Sequence, residues 1–213
     1  MQFLGPNDPF PAVEEASEEG LLAIGGDLSP QRLLDAYSRG IFPWYDSTQP
    51  VLWWSPDPRM VLFPENLKIS NSMKQLLKKG LFQFTFDTAF SEVVDNCATI
   101  RRNGQNGTWI TPEMKQAYLQ LHEMGVARSV EVWQEEQLVG GLYGIYLKEK
   151  KIFCGESMFA KVSNASKYGF IYLVQKLQKE DLKVIDCQIY TPHLKSLGAE
   201  EISRTEFLKF LTS

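Results

Sequence analysis

The feature that most constrains this fold is a run of three β-type segments joined by two polar links of turn size. Residues 129–133, 138–147 and 152–159 are rich in β-branched and aromatic side chains, and residues 134–137 and 148–151 between them are polar. Links this short favour antiparallel neighbours, so the run predicts a strand meander. A helix is expected next, from about 165 to 179, because Phe170, Leu173, Val174 and Leu177 recur at i, i+3, i+4 and i+7. Residues 183–188 then read as another strand. Meander, long helix and further strand together imply an α+β chain, a mixed sheet with helices packed on it.

Upstream signals are more local. Ser29-Pro30 opens a helix that Gly40 ends, with Leu33, Leu34, Tyr37 and Ile41 at helical spacing. Thr88 is expected to cap a helix through Cys97, and Thr111-Pro112 starts another. Residues 82–86 alternate apolar and polar, as in a strand. Near the end, Thr191-Pro192 starts a short helix stopped by Gly198, and Ser203 to Glu206 forms a capping box. The aromatic, proline-rich stretches 42–44 and 53–59 are expected to be rigid but irregular. A boundary near residue 60 divides the chain into a small N-terminal domain, 1–60, and a larger one, 61–213.

Composition excludes several classes. A net charge of −4 argues against binding nucleic acid over the whole surface, although Lys68, Lys74, Lys78, Lys79 and Arg101-Arg102 form local basic groups. No run approaches the ~18 apolar residues that span a bilayer, and the N-terminus has no basic-then-apolar secretory pattern. A cytoplasmic protein without membrane association is expected. Cys97, Cys154 and Cys187 lack CxxC or Cys/His metal spacing, so they read as reduced, buried thiols, and no metal site is expected.

Chemistry concentrates in two strands. In residues 185–188, side-chain alternation places Asp186 and Gln188 on one face and Cys187 on the other. Two readings stand from the residues alone: a solvated strand end, or an acid and an amide that hold a reacting amine or carbonyl. In residues 153–159, Glu156 interrupts an apolar strand, so it faces water or anchors something polar in a cleft. Gly155 leaves room beside it, and a helix starting near Asn164 directs N–H groups toward the same region. His122 and His193 read as structural. Neither a GxSxG elbow nor a GxxxxGK[ST] loop occurs, and residues 101–107 lack the spacing of a phosphate-gripping loop. Cys154 or Cys187 would need an activating base to serve as a nucleophile.

Seven strings in order resemble the bacterial leucyl/phenylalanyl-tRNA–protein transferases: residues 20–30 (GLLAIGGDLSP), 40–44 (GIFPW), 53–59 (WWSPDPR), 107–111 (GTWIT), 153–159 (FCGESMF), 164–167 (NASK) and 185–188 (IDCQ). The resemblance covers nearly the whole chain. It implies a small N-terminal domain followed by a domain similar to the GCN5-type acetyltransferase fold. It also implies transfer of Leu or Phe, less readily Met, from aminoacyl-tRNA to the α-amine of proteins beginning with Arg or Lys, marking them for degradation. The donor ester is already activated, so no cofactor is expected, and a monomer is expected.

Residue by residue, the resemblance gives Asp186, Gln188 and Glu156 catalytic roles, with Asp186 drawing the amine's proton through Gln188 or merely orienting it. Trp44 and Trp109 would lie against the terminal adenosine. The aminoacyl pocket would include Phe153, Ser157, Met158, Phe170, Leu173, Leu177 and Ile185. Lys74, Lys78 and Lys79 would meet the tRNA acceptor stem. Ala160, where some relatives have Ser, and Asn71, in place of a basic residue, depart from the family pattern, and the chain ends at Ser213, without the longer tail of some relatives. The rival readings are an acetyl-CoA-dependent acetyltransferase, which would need a Gln/Arg-x-x-Gly-x-Gly turn not seen here, and a non-catalytic tRNA- or peptide-binding module.

Overall fold

A computed structural model describes residues 2–100 and 108–212, so Arg101-Arg102 lie outside the described residues. The N-terminal part holds β1 (Gln2–Leu4), β2 (Leu21–Gly25), α1 (Pro30–Ser38), β3 (Phe42–Pro43) and β4 (Leu52–Trp54). Its strands form a four-stranded sheet in the order β1-β2-β4-β3. Stretches expected to be irregular are thus short strands. Two or three residues show no periodicity, and their pairing comes from neighbours distant in sequence, such as Trp53 opposite Ala23 and Pro43. Helix α1 begins as its signals require: Ser29 Oγ accepts from the Arg32 N–H, and Gly40 turns the chain with a φ of +75°.

The rest comprises β5 (Arg59–Leu62), α2 (Asn71–Lys79), β6 (Gln83–Phe86), α3 (Phe90–Thr99), α4 (Pro112–Glu123), β7 (Ala127–Gln134), β8 (Gln137–Leu147), β9 (Ile152–Ala160), α5 (Ala165–Gln178), β10 (Val184–Gln188), α6 (Pro192–Ser196), β11 (Glu200–Ile202) and α7 (Arg204–Thr212). Thr111 caps α4 and Ser203 accepts from Glu206, as expected, whereas α3 starts one residue after Ala89 without a side-chain cap. Thr88 instead turns its hydroxyl to the buried carboxylate of Glu131. A buried acid without a cation draws in nearby donors, and that demand outweighs an exposed helix end.

These strands form one mixed sheet in the order β11-β5-β10-β9-β8-β7-β6. The meander β7-β8-β9 is antiparallel, and β10 joins β9 in parallel after the crossover through α5. Apolar side chains fill both faces. One cluster contains Tyr37, Tyr118, Ile152 and Phe207; the other contains Phe153, Phe170, Leu173, Leu177 and Ile185. The first unites residues from Leu4 to Leu211, so the N-terminal sheet and the large sheet share a core.

Candidate active site

Two irregularities in adjacent parallel strands create the site. In β9, Gly155 faces Gly144 and Ser157 faces Tyr143, which leaves Glu156 as an extra residue in a β-bulge. Gly144 permits this close pairing, since a Cβ there would meet the Cys154 carbonyl oxygen at 2.2 Å. In β10, Asp186 faces Val61 and Gln188 faces Met60, so Cys187 is extra, and Gln188 takes a left-handed φ of +66°. Such a backbone costs a residue with a side chain about 1 kcal/mol or more, and it re-aims the side chain at the strand end.

The bulges bring Gln188 to Glu156. The Gln188 side-chain amide donates to Glu156 Oε1 at 3.2 Å, while its backbone N–H donates to Asp186 Oδ1 at 2.9 Å. Asp186 therefore reaches Gln188 through the main chain. The carboxylate of Asp186 is buried and clamped by Arg59, whose Nε and Nη2 donate to Oδ1 at 2.8 Å and Oδ2 at 2.7 Å. Arg59 is equally buried. Its Nη1 donates to the Gly40 carbonyl at 3.0 Å, and its guanidinium lies 4.8 Å from the ring centroids of both Phe42 and Phe207. Cys187 lies with Ile185 in the second apolar cluster, away from Asp186, but alternation fails one residue on: the bulge turns the Gln188 side chain away from Asp186, so that Gln188 and Cys187 line one cavity.

Among the described residues, no cation pairs with Glu156. Tyr37 Oη lies 2.7 Å from its Oε1, Tyr118 Oη lies 2.7 Å from its Oε2, and the two hydroxyls are 2.6 Å apart. Desolvation, the largest influence, pushes the Glu156 carboxyl up to about 7. Burial also holds the thiols of Cys154 and Cys187 well above their usual range, so neither is a thiolate nucleophile near neutral pH.

Above these groups opens a cavity of about 580 Å³, within the ~300–1,000 Å³ usual for small-ligand sites. Glu156, Ser157 and Gln188 edge its polar end, and Phe153, Met158, Phe170 and Ile185 supply apolar wall. Trp44, 38% exposed, and Trp109 also line it, as does Ser166 in the first turn of α5. Leu173 and Leu177 lie elsewhere: they border a separate void of about 20 Å³ that also touches Phe153. Lys74, Lys78 and Lys79 are exposed on α2 and do not border the cavity.

Several residues here were not singled out from the sequence. Arg59 left one signal, a cation heading the otherwise apolar strand Arg-Met-Val-Leu. Tyr37 reads as an ordinary member of its helix's apolar pattern, and nothing in the sequence marks Tyr118. His193 was expected to be structural, yet it lines the cavity, and its buried Nε2 has no hydrogen-bond partner among the described residues.

This geometry suits a reaction that needs an apolar slot beside a small polar centre. The family model for leucyl/phenylalanyl-tRNA protein transferase matches residues 61–212, and the model for that family's N-terminal domain matches residues 26–57. The chain belongs to the leucyl/phenylalanyl-tRNA–protein transferase family. It is an aminoacyltransferase. Relatives of that name from Christiangramia forsetii and Flavobacterium johnsoniae are 65% and 59% identical, the first over 99% of this chain and the second over all of it, each aligned over its whole length. A relative from Cellvibrio japonicus is 55% identical over 95% of this chain and 86% of its own. Among solved structures, L-PGS from Bacillus licheniformis gives a TM-score of 0.44 at 9% identity over 80% of this chain and 53% of that one. A GCN5-related N-acetyltransferase from Kribbella flavida gives 0.40 at 8% identity, covering 80% and 60%. No described helix is long and apolar enough to cross a membrane, and no metal-ligand cluster occurs among the described residues.

Proposed function

We propose that this protein moves Leu or Phe, and less readily Met, from aminoacyl-tRNA to the α-amine of proteins beginning with Arg or Lys, in the cytoplasm, and that the product is marked for degradation. The observation that carries this reading is the cavity, which has an apolar wall for an aminoacyl side chain and a polar end at Glu156 and Gln188. A wall of Phe153, Met158, Phe170 and Ile185 suits large apolar side chains but separates them weakly, since one methylene changes binding by only about 1–3 kcal/mol.

Gln188 holds the reacting groups, and Asp186 is a positioning residue that fixes the Gln188 backbone from beneath. The acceptor amine has an ordinary pKa of roughly 7.7–8.0, so part of it is already free base near neutral pH, and alignment with the ester supplies much of the rate. Trp44 and Trp109 offer indole faces to the terminal adenosine. Lys74, Lys78 and Lys79 give α2 an exposed basic face for the acceptor stem. Residues 1–60 act as a small N-terminal domain against a catalytic domain of 61–213, and the protein works as a monomer.

Radiolabelled Leu-tRNA and a peptide with N-terminal Arg test this directly. Label is expected in the peptide, and much less when Asp replaces the N-terminal Arg. A folded protein that transfers no label to the Arg peptide would refute the reading.

A further inference from the structure

Three oxygen–oxygen contacts link Glu156 to two tyrosines, and they do not balance if Glu156 is ionised. The contacts are Tyr37 to Oε1 at 2.7 Å, Tyr118 to Oε2 at 2.7 Å, and Tyr37 to Tyr118 at 2.6 Å. Each such contact needs one hydrogen between its oxygens. The two phenols supply two. With Glu156 as a carboxylate, one contact is left as lone pair against lone pair, in a ring whose two tyrosines are buried. A third proton closes the ring.

Gln188 fixes where that proton resides. Oε1 already receives the Gln188 amide at 3.2 Å, so the second lone pair of Oε1 accepts from Tyr37 and Oε2 is left to donate. The hydrogens then run in one sense: Oε2 to Tyr118, Tyr118 to Tyr37, and Tyr37 to Oε1. We propose that Glu156 rests as a neutral carboxylic acid protonated at Oε2, held there by Tyr37 and Tyr118 as positioning residues. The surroundings agree. Tyr143 of β8 packs edge-on against Tyr118 at 5.3 Å, the Cys154 thiol of β9 stays protonated, and the charge of Asp186 in β10 is paired with Arg59 of β5. No cation faces Glu156 from these elements, and its carboxyl is pushed up to about 7.

This deepens the transfer reading and rests on it only for its chemical use. When the C–N bond forms, the neutral amine must shed a proton; when the ester C–O bond breaks, the leaving ribose oxygen must gain one. The ring gives a proton to the leaving oxygen and takes up the amine's, so its own content is unchanged at the end. The single net proton released is the one the ammonium lost before attack.

Infrared spectroscopy tests the ring without reference to activity. Subtracting the spectrum of Glu156→Gln from that of the wild type near pH 6 is expected to isolate a neutral-acid carbonyl band, which disappears as pH rises through about 7. Glu156→Gln suits the subtraction because its carboxamide can place oxygen at ε1 and NH2 at ε2, reproducing the ring without a titratable proton. Tyr37→Phe is the sharper variant. It leaves a single contact, Tyr118 to Oε2, for which the tyrosine hydrogen suffices, so the band should vanish at lower pH than in the wild type. If the tyrosines merely donate to a carboxylate, losing one moves the midpoint up instead. An absent band, or an upward shift in Tyr37→Phe, overturns the proposal and leaves the transferase reading intact. A band that behaves as expected in a protein that transfers no label leaves the ring standing and removes its use.

Discussion

Asp186 lies buried beneath the cavity and Glu156 lies half-buried beside it, and the protein accommodates the two acids by different means. Asp186 is matched by a cation: Arg59 grips both oxygens, and neither residue borders the cavity. Among the described residues Glu156 is matched by neutral groups, two phenols and an amide, and it borders the cavity directly. An ion pair cancels charge at a fixed place and so builds a floor. Neutral donors leave the number of protons as the adjustable quantity and so build a reactive wall. The division of labour between the two acids follows from their partners rather than from their own chemistry.

The floor is the costliest part to disturb. Arg59→Leu leaves Asp186 as an unpaired buried carboxylate, and urea denaturation should register a loss of about 3–5 kcal/mol. Arg59→Leu combined with Asp186→Leu should recover much of it, because the pair is then replaced by apolar bulk. A single variant within 1 kcal/mol of the wild type would show that the floor does not depend on the pair.

The wall should show itself through pH. Glu156 is held up to about 7 in the folded protein against an ordinary 4.5. Between those values the unfolded chain has released a proton that the native state keeps, so the contribution of Glu156 to native stability is fully present below about 4.5 and falls as pH rises to about 7. The fall is roughly 3 kcal/mol. In Glu156→Gln this component should be missing, which urea denaturation of both proteins from pH 4 to 8 measures. Parallel curves would place Glu156 with Asp186, as an acid of fixed state.

At the mouth the effect is smaller and confined to the donor. Trp109→Ala should weaken aminoacyl-tRNA binding by about 1–3 kcal/mol, the value of one base stacked on an aromatic ring, with little change in stability. Equal donor affinity in the variant would remove the stacking role.

What could be read in the chain divides along the same line. Helix starts were legible at Ser29 and Thr111 because a cap is a local event, written within four residues. The meander was legible because its links are short. Asp186, Gln188 and Glu156 were legible as polar residues in apolar strands, but their partners were not. Tyr37 and Tyr118 come from α1 and α4, 81 residues apart, and each has the spacing of a core residue on its own helix. The bulges were hidden too, since an extra residue in a strand leaves no mark on composition. Strict alternation still separated Cys187 from Asp186, yet it gave no hint that Gln188 turns through a left-handed backbone to reach Glu156. Leu173 and Leu177 continue the helical stripe of Phe170, but a stripe cannot tell which of its members borders the main cavity.

Arg59 also sets an order of events during synthesis. Its carboxylate partner follows 127 residues later, and the ring of Phe207 that covers it follows later still. A growing chain therefore carries this guanidinium in water while the earlier strands form, and the entropy of closing so long a loop is met only near the end. The ring that completes its cover arrives with α7, after every described strand of the large sheet.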